Sequence, residues 1–205
     1  MGDGYNVNRP AGRFYMQGII MKNNRVINKV HASNLEVKDR MANALIDLLQ
    51  EEKINEIKIT ELISYAEVSR ASFYRNFASF EDILCYGFDR IMERFSEEMS
   101  LRRNSAESRR SFIAWAFGFF NEYRTAILTS YYSGIAHYQY ETVTRILLER
   151  DDTTYKPFDK QVGAYFYSGA FFSVVIAWME SGPSISEEAV ADRFLALCAL
   201  QENES

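Results

Sequence analysis

Five side chains between residues 70 and 76 carry hydrogen-bond donors within what would be two turns of a helix. They are Arg70, Ser72, Tyr74, Arg75 and Asn76. Guanidinium, hydroxyl and amide groups bond to phosphate oxygens and to the edges of bases, and Arg pairs especially well with guanine in the major groove. A helix over these residues would therefore offer the chemistry of nucleic-acid recognition.

The flanking residues supply the starts of three successive helices. Thr60 is predicted to be the N-cap of the first helix, Ser69 that of the second and Ser79 that of the third. Glu81 and Asp82 follow Ser79, where the positive end of a helix favours acidic residues. Two short helices joined by a tight turn form a helix-turn-helix, and the second helix of this motif enters the major groove.

Over about residues 35 to 95, the chain resembles the DNA-binding domain of TetR-family transcriptional regulators. The likeness is carried by Ile59-Thr60, Ser69-Arg70, Phe73-Tyr74 with Phe77, and the helix opening Ser79-Phe80-Glu81-Asp82-Ile83-Leu84. This resemblance implies an all-α protein of about nine helices. A three-helix DNA-binding domain would precede a helical domain that binds an effector and forms a homodimer.

Two residues depart from the family pattern. Glu67 stands where such sequences often have the glycine of the turn, so this position must accept a non-glycine backbone or a reshaped turn. Phe80 stands where a Lys usually follows the Ser, which removes one expected phosphate contact.

The chain divides by composition into an arm and two domains. We predict an arm over residues 1–33, a DNA-binding domain over 34–80 and a helical effector-binding and dimerisation domain over 81–205. The arm is either disordered or a basic segment that touches DNA, and its first 20 residues are either native or foreign to the natural chain. Residues 1–80 hold 11 Lys and Arg against 9 Asp and Glu, and residues 81–205 hold 12 against 19, so their net charges are +2 and −7. This contrast suits a DNA-facing end attached to an acidic body.

Helical periodicity covers most of the chain after the arm. The first helix is predicted from Asn34, as its N-cap, to about Glu52, and a long fourth helix from Phe80 to about Met99. Residues 100–110 are predicted to form a loop. The body is predicted to contain helices over 108–122, 124–136, 138–151, 158–181 and 186–201.

Residues for catalysis or metal binding are scarce. The chain contains only two histidines, His31 and His137, and two cysteines, Cys85 and Cys198, and no phosphate-binding glycine loop appears. We therefore expect no enzyme activity, no metal site and no cofactor. The absence of a disulfide framework fits a cytoplasmic protein.

Aromatic residues crowd the body, and most of them are expected to form its core. An apolar cavity with a few polar groups can also hold a small ligand. The effector pocket implied by the family resemblance is assigned to Trp115, Phe119, Tyr131, Tyr132, His137, Phe171 and Trp178.

Residues 161–179 contain no charge and reach the length of a bilayer span. Such a helix also occurs where one face packs on a core and another on a partner subunit, and we favour that interpretation over a membrane span. The predicted dimer interface comprises Val162, Phe166, Gly169, Ser173, Ile176, Val190, Phe194 and Leu197.

These patterns predict a dimeric regulator that binds a palindromic double-stranded DNA operator and responds to a small effector of unknown identity, most simply as a repressor. The expected DNA contacts are Thr60, Ser69, Arg70, Ser72, Tyr74, Arg75 and Asn76. The alternative is a partner-binding co-regulator of the same fold that does not itself bind DNA strongly.

Overall fold

The computed structural model describes residues 27–102, 108–149, 157–182 and 184–199. These residues form nine α-helices and one π-helical turn, and no strand occurs among them, which confirms the all-α prediction. The helices are α1 Ile27–Leu48, α2 Ile59–Tyr65, α3 Arg70–Asn76, α4 Phe80–Arg102, α5 Arg109–Glu122, α6 Arg124–Ser130, α7 Ala136–Glu149, α8 Pro157–Glu180 and α9 Glu187–Ala199. The π-helical turn, Tyr131–Ile135, lies between α6 and α7.

The chain divides into two compact units after Gly87, within α4. The first unit contains α1, α2, α3 and the beginning of α4, and the second contains the remainder of α4 together with α5 to α9. Helix α4 therefore contributes residues to both units.

In the first unit, α1 begins earlier than predicted. It starts at Ile27, so Asn34 lies inside the helix and is not its N-cap. No proline or glycine lies between the two residues, so nothing in the sequence interrupts the helical backbone there. The predicted arm therefore overlaps α1 at residues 27–33, whereas residues 1–26 lie outside the described part of the chain. Met41 and Leu45 of the predicted apolar face are completely buried.

The second unit is held together by aromatic packing. Phe117 of α5 contacts Phe171 and Trp178 of α8 and Phe194 of α9, with ring centroids 4.9, 5.6 and 6.1 Å apart. Arg110 of α5 also donates two hydrogen bonds, of 2.6 and 2.8 Å, to the carboxylate of Asp192 on α9. The bonded guanidinium lowers the pKa of the Asp192 carboxyl.

The helix ends of this unit differ in part from the predicted ones. Helix α4 continues to Arg102, into the segment predicted to be a loop, and residues 103–107 lie outside the described part of the chain. Helix α6 ends at Ser130, six residues before the predicted end at residue 136. The π-helical turn follows. Its Gly134 adopts a φ of 115°, a backbone conformation that residues with a Cβ rarely adopt.

Helix α8 is long and apolar enough to cross a membrane by length and composition alone. Its Phe172, Val175 and Met179 side chains are buried among the other helices of the second unit. Part of its apolar surface is thus accounted for by core packing. Val162 and Phe166, near its beginning, remain exposed.

The π-helical turn gives a test of backbone strain. A Cβ at Gly134 would meet no atom within 4 Å, so Gly134→Ala tests conformation without a steric clash. We expect this change to lower the free energy of unfolding by about 1–3 kcal/mol, because alanine is strained at that φ. Gly163 in α8 is the control, since a Cβ there is also unopposed and the backbone is helical. Gly163→Ala should raise stability by up to about 1 kcal/mol in denaturant unfolding. Equal effects at the two positions would contradict this account.

Candidate nucleic-acid interface

Helices α2 and α3 form the predicted helix-turn-helix, and α3 has the predicted N-cap. The Ser69 hydroxyl oxygen accepts a hydrogen bond of 3.1 Å from the Ser72 amide. The N-cap prediction for Thr60 was wrong, because α2 begins at Ile59 and is preceded by Lys58 in the N-cap position. Thr60 is exposed in the first turn of α2, so its hydroxyl faces solvent at the amino end of that helix.

The turn between α2 and α3 accommodates Glu67 by ending α2 in a Schellman motif. The Val68 amide donates to the Ile63 carbonyl at 3.0 Å, and the Glu67 amide donates to the Ser64 carbonyl at 3.2 Å. Glu67 itself has a φ of 53°, the only positive φ of a non-glycine residue in the described ranges. A guanidinium nitrogen of Arg40 in α1 donates to the Glu67 carbonyl at 3.3 Å. The turn therefore keeps the geometry of a glycine turn without the glycine.

Helix α3 is fixed to the first unit by two buried rings. Phe73 and Phe77 are 1% and 6% exposed, as core packing predicts. Phe77 lies 5.7 Å from the ring of Tyr86 in α4, and the Lys38 ammonium of α1 lies 5.5 Å from the Phe77 ring. The Tyr86 hydroxyl donates to Asp39 of α1 at 2.6 Å. These contacts turn one side of α3 inward and leave the opposite side to solvent.

The outward side of α3 presents Arg70, Tyr74 and Arg75, all of which are exposed. The Arg70 guanidinium lies 5.7 Å from the Tyr74 ring and donates to its hydroxyl at 3.4 Å. Arg75 donates to the Ser72 hydroxyl at 3.5 Å. These long hydrogen bonds are weak, so the two guanidinium groups are available to a stronger acceptor such as a phosphate or a guanine edge.

The remaining predicted contacts of α3 have local hydrogen bonds. The hydroxyls of Ser69 and Ser72 are 2.9 Å apart, and the Asn76 side-chain amide donates to the Ser72 carbonyl at 2.8 Å. Ser72 and Asn76 are half-buried. These side chains stabilise the two ends of α3, so the outward hydrogen-bonding capacity lies mainly with the two arginines and Tyr74.

The beginning of α4 is capped by Ser79 and by the carboxylate of Asp82 in its first turn. The Ser79 hydroxyl accepts from the Asp82 amide at 3.1 Å, while the Asp82 carboxylate accepts from the amides of Ala78 and Ser79 at 2.9 and 3.2 Å. Phe80 is half-buried and lies 6.2 Å from Phe73 in an edge-to-face contact. Phe80, at the position where TetR-family sequences usually have a lysine, thus packs on α3 and offers no charge.

Charge is distributed unevenly within the N-terminal part of the chain. Residues 27–87 contain seven Lys and Arg and ten Asp and Glu, a net charge of −3. Residues 1–26 contain four Lys and Arg and one Asp, a net charge of +3. Attraction of the phosphate backbone would therefore depend on where the individual arginines lie and on the first 26 residues, not on the net charge of the described unit.

The predicted pocket residues differ in how deeply they are buried, so they do not line one common site. Tyr132 and His137 are exposed, and the His137 imidazole lies 3.1 Å from the Glu141 carboxylate, so we withdraw both from the pocket. Phe119 and Trp178 are buried, and the Trp178 indole donates to the Ile185 carbonyl at 3.0 Å. The others are half-buried, namely Trp115, Tyr131 and Phe171. Trp115 stacks on Phe95 at 5.3 Å.

The predicted dimer residues also separate into two groups. Val162, Phe166, Ser173 and Leu197 are exposed in the protomer. A Cβ at Gly169, which is half-buried, would lie 3.3 Å from the Tyr140 hydroxyl, so this glycine lets α7 approach α8 closely. Ile176, Val190 and Phe194 are buried within the second unit and cannot lie on its outer surface, so we withdraw them from the interface. Each of these three belongs to the face of its helix that the other helices of the unit cover.

Sequence reasoning missed the five buried polar side chains described in the second unit, namely Ser130, Gln139, Thr142, Thr144 and Ser168. A signal for Gln139 exists, because it follows Ile135 by four residues and precedes Val143 by four, and both are buried. It is a polar residue on an apolar helical stripe.

The strained turn yields a prediction for Glu67. We expect Glu67→Gly to raise the free energy of unfolding by about 0.5–1 kcal/mol, since glycine removes the cost of a left-handed backbone but adds entropy to the unfolded chain. Glu67→Ala should bring no such gain, and Glu67→Val should be destabilising because β-branched side chains are disfavoured there. Thermal and denaturant unfolding of the three variants measures this order. Glycine as the least stable variant would disprove it.

Comparison with known proteins bears on the fold. No family model matches the chain, and no curated protein matches it. A search of solved structures finds the crystal structure of a TetR transcriptional regulator from Streptococcus agalactiae 2603V, with a TM-score of 0.58 and 17% sequence identity. The match covers 83% of this chain and 98% of that one. The chain therefore has the fold of a TetR transcriptional regulator.

Proposed function

We propose that this protein is a sequence-specific DNA-binding transcriptional regulator that acts as a homodimer on a palindromic operator. The observation that carries the proposal is the outward side of α3, where Arg70, Tyr74 and Arg75 are exposed on a capped helix. Two buried rings, Phe73 and Phe77, fix that helix from the opposite side. The fold shared with a TetR regulator supports this proposal.

Each exposed side chain of the helix-turn-helix receives a role from its chemistry. Arg70 and Arg75 contact bases or phosphates, and Ser72 is a candidate for a base edge. Tyr74 and Thr60 are phosphate anchors, since a hydroxyl positions the protein without reading sequence. Ser69 and Asn76 act chiefly by holding the ends of α3, as their hydrogen bonds indicate.

A homodimer is supported by the exposed part of α8. Val162 and Phe166 lie one helical turn apart, and Ser173 continues the same face. An isologous interface built on this face would give two copies of α3 related by a two-fold axis. Such a pair can bind half-sites about 34–36 Å apart, or a multiple of that distance.

Regulation is proposed to act through the second unit. A small effector bound there would move α4, which contributes residues to both units, and change the spacing of the two recognition helices. To convert a mostly DNA-bound population into a mostly free one, the effector must favour the released form by roughly 5 kcal/mol. We propose that the regulator is a cytoplasmic repressor that needs no cofactor.

The second candidate function is a partner-binding co-regulator with the same fold. Three observations favour it, namely Phe80 packed on Phe73, the acidic Glu67 in the turn and the negative net charge of residues 27–87. DNA binding by the regulator would weaken steeply with salt, in proportion to the number of phosphates neutralised. Binding to DNA that is weak and independent of sequence would favour the co-regulator.

Replacing the two outward arginines tests the DNA-binding role. We expect each of Arg70→Ala and Arg75→Ala to weaken operator binding by about 1–3 kcal/mol and to relax discrimination against mismatched duplexes. Exposed arginines of the second unit, Arg109 and Arg193, supply the control, and replacing both with alanine should leave affinity unchanged. Titration of operator and mismatched duplexes at several salt concentrations measures the effect. Unchanged affinity in the Arg70→Ala, Arg75→Ala double variant would refute the assignment.

Removing either of two N-caps with the same hydrogen-bond length distinguishes an effect on stability from an effect on DNA binding. Ser69 and Ser108 each accept a hydrogen bond of 3.1 Å from the amide three residues later, at the beginnings of α3 and α5. Each serine-to-alanine change should cost about 1 kcal/mol of stability. Only Ser69→Ala should weaken DNA binding, because α3 would then fray. An equal loss of DNA affinity in both variants would mean that stability alone is responsible.

The proposed dimer interface can be tested by introducing charged residues into it. We expect a Val162→Glu, Phe166→Glu double variant to be monomeric, because buried carboxylates without partners cost several kcal/mol in an apolar interface. Leu101 is another apolar side chain, 78% exposed on α4, and Leu101→Glu should leave the dimer intact. Light scattering during gel filtration gives the mass of each variant. A dimeric double variant would place the interface elsewhere.

A further inference from the structure

Gln139 lies in α7 with its side chain completely buried in the second unit. Its amide nitrogen donates to the Ser130 hydroxyl at 2.7 Å and to the Ile127 carbonyl at 3.3 Å. The Ser130 hydroxyl in turn donates to the Ala126 carbonyl at 2.6 Å, so towards Gln139 it acts as an acceptor. These partners fix the orientation of the amide, because its carbonyl oxygen could not replace the nitrogen against two acceptors.

The other end of this amide has no partner within the protein. The Gln139 Oε1 atom is buried and accepts no hydrogen bond from any described residue. Five polar side chains are buried among the described residues, namely Ser130, Gln139, Thr142, Thr144 and Ser168. Of these five, only Gln139 has a buried side-chain atom without a hydrogen-bond partner. A buried acceptor without a partner costs about 1–3 kcal/mol, a cost that a methionine of similar length would avoid. The oxygen is thus an unused acceptor at a position where an apolar side chain would be more stable.

Gln139 lies where a bound molecule could affect the contacts of α7 with α6 and with α4. Its partner Ser130 ends α6, and the π-helical turn Tyr131–Ile135 separates the two residues. The preceding residue, Tyr138, donates a hydrogen bond of 2.7 Å to Asp89 of α4, so a displacement of α7 would be transmitted to α4.

We propose that Gln139 Oε1 is the polar recognition group for the effector, and that the effector is a neutral, mainly apolar molecule with an N–H or O–H donor. This inference rests on the proposed function as a ligand-responsive regulator. A carbonyl oxygen attracts a donor and repels a carboxylate or phosphate. None of the five fully buried polar side chains is charged, so none would compensate an ion. Ile127, whose carbonyl accepts from the Gln139 amide, and Ile135, one helical turn before Gln139, both have buried apolar side chains.

Matched pairs of small molecules test the chemical class. The probes are indole, aniline, phenol and benzamide, each compared with its methylated partner that lacks the donor: 1-methylindole, N,N-dimethylaniline, anisole and N,N-dimethylbenzamide. Benzoate is the anionic probe. Binding to the full chain is measured by thermal unfolding and by side-chain amide NMR, in which the Gln139 NH₂ signal is identified by its loss in a Gln139→Met variant. Release of a duplex selected by the wild-type protein from a random pool is measured in parallel.

We expect at least one donor probe to bind, to shift the Gln139 amide signal and to bind at least about tenfold more tightly than its methylated partner. Gln139→Met should abolish that tenfold preference while retaining affinity for the selected duplex. Ser168→Ala is the control, because it removes a buried hydroxyl of the same unit that pairs with Thr144 and not with Gln139, and it should retain the preference. If Gln139→Met does not fold, Gln139→Leu replaces it.

Three results would overturn the inference. They are the absence of binding by every donor probe, equal binding of donor and methylated probes, and a preference that persists in the Gln139 variants. In each of these cases Oε1 is satisfied by internal water only. Failure of the wild-type protein to select any duplex would instead refute the proposed function, and the probe measurements would still decide whether the site exists.

Discussion

Helix α3, which carries the proposed DNA contacts, is too short to be stable without the rest of the first unit. Isolated helices shorter than about 12–15 residues are marginal in water, and α3 has seven residues. Its stability therefore comes from the burial of Phe73 and Phe77 and from the Ser69 cap. The same burial leaves Arg70, Tyr74 and Arg75 facing solvent. Core packing and the outward presentation of Arg70, Tyr74 and Arg75 thus depend on the same buried rings, and a change that loosens either ring would affect both.

The surroundings of this helix show a balance between stability and phosphate attraction. Phe80 packs on Phe73, and the Asp82 carboxylate satisfies the amides of Ala78 and Ser79 before α4, so each stabilises the first unit. Neither offers a positive charge to DNA. In the proposed regulator, affinity for DNA would then depend on a few exposed guanidinium groups and on the basic residues within the first 26.

The second unit combines an apolar core with five buried polar side chains among its described residues, one of which is Gln139. Its aromatic rings, centred on Phe117, join α5, α8 and α9 into a single packed body. Gln139 lies inside this body with a buried oxygen that no described residue uses. Native cores seldom leave such an atom without a partner. If the proposed effector donates to this oxygen, the local loss of stability is a cost of recognition.

The sequence alone determined the helix-turn-helix, because caps, turns and a short apolar spacing are local features. Ser69, Phe73 and Phe77 could be assigned in this way. The left-handed backbone at Glu67 was foreseeable as one of two outcomes, and only the structure decided between them. Burial across the second unit could not be predicted, since periodicity gives the apolar face of a helix but not which neighbour covers it. For that reason Ile176, Val190 and Phe194 proved to be core residues, and Gln139 became visible only once α6 and α7 were packed together.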